Sequence, residues 1–167
     1  SDRPISANLS SLKLSCQKAI FDILTSAGKA FVVMYGQTEA SPRMTFLMAK
    51  NASAKLGSVG RPLENCEAWL VDEENKKIEE TGLSGELVFK GPNVFLGYAK
   101  NFTDLALGDS TNAILRTGDL ANIDSEGFIY IIGRKNRTGK LFGIRVNLQD
   151  IDLHVSAMGI ESASVIK

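Results

Sequence analysis

The sequence predicts an α/β plus β protein: the end of an α/β layer, then a small distorted antiparallel β-barrel, then the start of a small α+β unit. Three observations carry that expectation. Residues 15–28 show a helical apolar pattern that runs into an unbroken apolar segment; the middle of the chain is a series of short strand-like segments punctuated by glycine, proline and asparagine; and a basic, glycine-containing link, Gly133-Arg134-Lys135-Asn136-Arg137-Thr138-Gly139-Lys140, precedes a new strand-and-helix pattern.

Taken in order, Leu9, Leu12 and Leu14 suggest a short first strand. Cys16, Ala19, Ile20, Ile23, Leu24 and Ala27 recur at helical spacing, with Ser15 as N-cap and Gly28 as the left-handed stop, so a helix is expected over 16–27. Residues 30–34 form a continuous apolar run, which suits a strand covered on both faces. Short strands are expected over 44–48, 66–71, 85–90, 94–98, 120–123 and 128–132, with a polar loop over 51–56 and a hairpin turn at Asp124-Ser125-Glu126-Gly127. Residues 141–146 read as a further strand, followed by a helix capped by Asn147 with the apolar stripe Leu148, Ile151, Val155 and Met158. The expected divisions are residues 1–56, 57–134 and 135–167.

Composition narrows the function classes. Lys plus Arg and Asp plus Glu both number 19, so no net field favours nucleic acid or an anionic membrane. Two cysteines, Cys16 and Cys66, and one histidine, His154, exclude a zinc-ligand cluster and argue against a disulfide scaffold, which fits a reducing cytoplasmic setting. No apolar run approaches the roughly 20 residues of a membrane span.

Three polar clusters lie far apart in the chain: Tyr35-Gly36-Gln37-Thr38-Glu39, Arg116-Thr117-Gly118-Asp119 and Gly133-Arg134. The first ends an apolar strand in an aromatic, a glycine, two hydrogen-bonding side chains and a carboxylate, which is how a strand delivers polar groups to a ligand, or a strand followed by an ordinary capped turn. Together with Gly57-Ser58-Val59-Gly60-Arg61-Pro62, Gly85-Glu86-Leu87-Val88-Phe89-Lys90-Gly91, Leu96-Gly97-Tyr98, Gly127-Phe128 and Lys140-Leu141-Phe142-Gly143-Ile144-Arg145-Val146, these clusters resemble the carboxyl-terminal part of the adenylate-forming superfamily of acyl-CoA synthetases, peptide-synthetase adenylation domains and luciferases.

That resemblance implies ATP-dependent activation of a carboxylic acid, with loss of pyrophosphate and acyl transfer to the thiol of CoA or of a carrier's phosphopantetheine. It implies that Tyr35 stacks on adenine, Gly36 admits the nucleotide to the backbone, Gln37 lies in the nucleotide site and Thr38 donates to the α-phosphate. Glu39 would bind Mg²⁺, Asp119 would accept the ribose hydroxyls, and Arg134 would contact the ribose and phosphates. Asn136 stands at the hinge position, where the family more often has aspartate or lysine. Gly143 matches the glycine beside the thiol tunnel. Gly60-Arg61-Pro62, Gly85-Glu86 and Gly97-Tyr98 are expected to be structural.

The Ser/Thr/Gly-rich phosphate loop and the catalytic lysine of that superfamily have no counterpart in these 167 residues, so the chain is expected to be an inactive piece of a longer ligase. An apolar face around Ile20, Phe21 and Val32 should then be exposed. Alternatives are an acyl-AMP ligase serving a carrier protein and a non-catalytic remnant that acts as a binding module.

Overall fold

The computed structural model describes residues 5–7, 14–41, 43–135, 138–141, 144–147, 155 and 158. The chain begins with β1 (Ile5–Ala7), α1 (Leu14–Ser26) and β2 (Phe31–Tyr35), in which β1 and β2 are parallel neighbours joined through the helix. Strand β3 (Thr45–Met48) pairs antiparallel with β2, and β4 (Arg61–Pro62) antiparallel with β3, giving a four-stranded sheet in sequential order. A short helix, α2 (Ala49–Ala52), follows β3 and takes the first two residues of the polar loop expected over 51–56.

Helix α1 starts one residue before the expected N-cap, so Ser15 lies within it. It ends as expected: Gly28 has φ 63°, Lys29 N–H donates to the Leu24 carbonyl at 2.9 Å, and Gly28 N–H to that of Thr25 at 3.0 Å. Its packing differs from the expected stripe. Gln17 and Phe21, one turn apart, face inward with Ile20 and Leu24, and Phe21 meets Phe31 edge-on at 4.7 Å. Phe21 is therefore buried and Ile20 and Val32 are half-buried, not an exposed face as expected, and the exposed large apolar residues of α1 are Leu14 and Ile23, the latter at 67% exposure. The apolar residues of α1 cover more than one face of a 3.6-residue period, and only one face can meet β2.

The second sheet is antiparallel. It contains β5 (Glu67–Val71), β6 (Lys77–Ile78), β7 (Ser84–Lys90), β8 (Ile114–Ile123) and β9 (Ile129–Arg134), in the spatial order β6-β5-β7-β8-β9. The described strands form an open sheet rather than the expected barrel. Edge strand β6 is only two residues long, and the outer side of β9 is engaged elsewhere: Val59 N–H donates to the Ile129 carbonyl and Ile129 N–H to that of Gly60, both at 2.9 Å. Those bonds join the two sheets. Between them lies a core of Tyr35, Met44, Val59, Leu70, Leu87, Phe89, Leu115 and Ile129.

Three segment expectations are corrected. Residues 94–98 form no strand, because their backbone groups go to scattered partners: Phe95 N–H donates to the Glu39 carbonyl and the Phe95 carbonyl accepts from Thr111 Oγ1. The strand expected over 120–123 is the end of the ten-residue β8. Residues 141–146 are not one strand; the backbone forms a hairpin of β10 (Thr138–Leu141) and β11 (Ile144–Asn147). Asn136, Gly143, Leu9, Leu12 and residues 148–154 of the expected last helix lie outside the described residues. No described helix is long and apolar enough to cross a membrane.

Close backbone packing at the joint between the sheets makes a glycine necessary there. Gly60 has φ 91°, and a Cβ on it would lie 1.9 Å from the Phe46 carbonyl oxygen, whereas Gly108, with φ 69°, has nothing within 4 Å. Gly60→Ala is expected to cost roughly 3 kcal/mol or more, and Gly108→Ala only the roughly 1–2 kcal/mol of its backbone conformation. Chemical denaturation of the two variants checks this; equal losses would contradict the role given to Gly60.

Candidate functional site

Strand β8 brings the site together through a break in its own pairing. Its register against β7 shifts between Glu86 and Val88, so Thr117, Gly118 and Asp119 have no partner there, and Gly118 takes φ 70°. Thr117 and Gly118 thus form a bulge inside a continuous strand. Thr117 Oγ1 satisfies groups freed by it, donating to the Leu87 carbonyl at 2.8 Å and accepting from Asp119 N–H at 3.1 Å. Bulges re-aim side chains, and this one directs Asp119 toward the end of β2.

Asp119 is only 4% exposed. Its Oδ2 accepts from the Tyr35 hydroxyl at 2.6 Å and from Gln37 Nε2 at 3.0 Å, and its Oδ1 faces Arg134 Nε at 2.8 Å. Tyr35 ends β2, Gln37 precedes the short 3-10 turn Thr38–Ala40, and Arg134 ends β9 opposite Asp119 in register. Burial, and then the Asp119 charge, push the Tyr35 hydroxyl well above the ordinary tyrosine range, so it stays protonated and donates. Tyr35 is 5% exposed, so stacking on adenine requires its ring to be uncovered.

Glu39 lies in the same 3-10 turn and accepts from the Tyr98 hydroxyl. That hydrogen bond holds the Glu39 carboxyl below the ordinary carboxylate range, and the Arg134 charge acts on it in the same direction. Arg134 therefore acts on both carboxylates. Thr38 is exposed at the start of the turn, and Gly36 is half-buried between Tyr35 and Gln37. Among the described residues no group of three or more His, Cys, Asp or Glu side chains could cage a metal. A lone carboxylate such as Glu39 suits Mg²⁺, which binds one or two carboxylates and takes its other ligands from water and substrate phosphates.

The structure joins four of the sequence-derived candidates, Tyr35, Gln37, Asp119 and Arg134, by direct contacts, and places Gly36, Thr38 and Glu39 on the adjoining segment. It adds residues that the sequence did not single out. Tyr98, expected to be structural, contacts Glu39. Glu86, also expected to be structural, is buried and anchors Arg116, through Nε at 3.1 Å and Nη2 at 2.5 Å, and Lys135 at 2.8 Å. An apolar strand interrupted by a glutamate, with arginine on the facing strand, is the signal that could have revealed this pair.

The sequence profile of the AMP-binding enzyme family matches residues 10–99, more than half of the chain. The chain belongs to the AMP-binding enzyme family. A 2-succinylbenzoate–CoA ligase of Bacillus cytotoxicus is 34% identical over 119 residues, which are 71% of this chain and 24% of that ligase. Among solved structures, the o-succinylbenzoate coenzyme A synthetase MenE of Bacillus subtilis, in complex with ATP and magnesium ion, superposes with a TM-score of 0.69 at 26% identity, covering 85% of this chain and 29% of that one. The amide bond synthetase McbA of Marinactinospora thermotolerans has a TM-score of 0.73 at 22% identity, covering 90% and 30%, and shares the fold. The chain thus spans less than a third of the length of each of these proteins.

The Glu86 network sets a pH dependence. Its Arg116 hydrogen bonds, against the cost of burial and with help from Lys135, lower the Glu86 carboxyl from 4.5 to about 2. A folded-state value below the unfolded one stabilises at pH above the unfolded value and is lost as pH falls through the folded one. Glu86→Gln is expected to cost roughly 2–3 kcal/mol at pH 7, a difference that shrinks steadily between about pH 5 and pH 2. Denaturation midpoints of both proteins across that range check it; a gap independent of pH would contradict the pairing.

Proposed function

We propose that this chain is the nucleotide-binding segment of an ATP-dependent acyl-activating ligase, which joins a carboxylic acid to AMP with loss of pyrophosphate and then passes the acyl group to a thiol. The single observation that carries the reading is the convergence of Tyr35, Gln37 and Arg134 on the buried carboxylate of Asp119. Family membership and the CoA ligases among its relatives support it. The acceptor is the thiol of CoA or of a carrier protein's phosphopantetheine, and two free cysteines fit a cytoplasmic setting.

In this reading Asp119 accepts the ribose diol. A carboxylate has about four acceptor sites, and Tyr35, Gln37 and Arg134 already use three, so a diol that donates twice needs one of them to leave. Arg134 is the one that can leave without disturbing the core, since its side chain is 56% exposed. Nucleotide entry then exchanges Arg134 from Asp119 to the ribose and phosphate side, where a forked cation has acceptors to match. Thr38, exposed at the start of its turn, offers its hydroxyl to the α-phosphate. Glu39, already poised as a carboxylate by Tyr98, would hold Mg²⁺ together with the phosphates. Bound there, Mg²⁺ supplies charge neutralisation at the phosphates.

The full-length protein carrying this chain should catalyse carboxylate-dependent exchange of pyrophosphate into ATP. Asp119→Ala and Glu39→Ala should each lower the rate by about 10²–10³-fold, the scale for removing one group that stabilises developing charge or orients the reacting phosphate. Wild-type exchange in both variants would refute these assignments.

A further inference from the structure

Gln37 precedes a 3-10 turn, where a side chain commonly caps the first free N–H groups, yet it makes no capping hydrogen bond. Its Nε2 instead crosses to β8, donating to the Thr117 carbonyl at 2.8 Å and to Asp119 Oδ2 at 3.0 Å. An amide nitrogen has two N–H donors. Both are spent on the protein, so the Gln37 side chain has no N–H left to offer a nucleotide, and the family resemblance that put it in the site gave it no such indirect task. The two acceptors it bridges belong to the stretch of β8 that has no partner on β7.

A carboxylate that must accept two hydroxyls of one diol has to keep its plane fixed, and free rotation about its last bond would spread its oxygens over geometries that miss one hydroxyl. Building on the nucleotide reading above, we propose that Gln37 is a positioning residue: it locks the Asp119 carboxylate to the Thr117 carbonyl and thereby sets the preference for ribonucleotides over deoxyribonucleotides. Tyr35 holds the same oxygen, but it also packs in the core between the sheets. Gln37 is half-buried and belongs to neither core cluster, so changing it separates positioning from packing.

The test uses the full-length protein and equilibrium binding of ATP and 2′-deoxy-ATP by calorimetry, with thermal denaturation alongside. Gln37→Met keeps the length of the side chain and removes its hydrogen bonds. The wild type should prefer ATP, and Gln37→Met should shrink that preference about ten- to a hundredfold, the scale of one lost hydrogen bond to a charged group, in a protein that still unfolds cooperatively. Asp119→Asn serves as the control and should abolish the preference. If Gln37→Met weakens both nucleotides equally, or leaves the preference intact while Asp119→Asn removes it, the positioning role is overturned and the nucleotide reading stands. If Asp119→Asn also keeps the preference, or the wild type has none, the ribose assignment fails and takes the role of Gln37 with it.

Discussion

The buried Asp119 carboxylate is the constraint around which the two sheets are arranged. An ionised carboxylate out of water costs several kcal/mol unless it is paired and hydrogen-bonded, and at 4% exposure Asp119 must have its partners. They come from separate parts of the chain: the end of β2, the turn after it, and the end of β9. Removing one of them would leave an under-compensated buried charge, so the contacts hold the ends of both sheets in one arrangement. The same burial makes the group useful, because a carboxylate in a dry, preorganised setting discriminates among donors more sharply than one in water.

The backbone irregularity in β8 makes this possible. A regular strand would pair Thr117 through Asp119 with β7 and alternate their side chains between the two faces. The register shift against β7 frees those residues, Thr117 absorbs the released groups through its hydroxyl, and Asp119 is presented to β2. A few residues away, Glu86 secures the strand beneath the bulge through Arg116 and reaches Lys135, next to Arg134. The site thus has a rigid side, made of Tyr35, Gln37 and β8, and a side that can give way, made of the exposed Arg134 guanidinium.

Much of this was legible in the sequence, where local chemistry has few solutions. Gly28 closes α1 because only a left-handed residue completes that helix end, and the apolar run into Tyr35-Gly36 marks the strand that delivers polar groups. The polar clusters around Tyr35, Asp119 and Arg134 stood out by residue type, and their assembly could be expected only through a family resemblance. What stayed hidden depends on tertiary partners. The sidedness of α1 was illegible because several of its faces are apolar, and the open sheet in place of a barrel was illegible because edge pairing of β9 with Gly60 leaves no local trace. The contacts of Gln37 with Asp119 and of Tyr98 with Glu39 link residues 82 and 59 positions apart, and no periodicity records them.

The central claim is that Asp119 accepts the ribose of a nucleotide after Arg134 moves aside. A crystal structure of the full-length protein bound to AMP tests it most directly. The account predicts both ribose hydroxyls within hydrogen-bond distance of the Asp119 oxygens, Tyr35 and Gln37 still on Oδ2, and Arg134 moved from Oδ1 toward the ribose and phosphate. A nucleotide seated elsewhere, or one bound with Arg134 still paired to Asp119 and the ribose hydroxyls turned away, would contradict it.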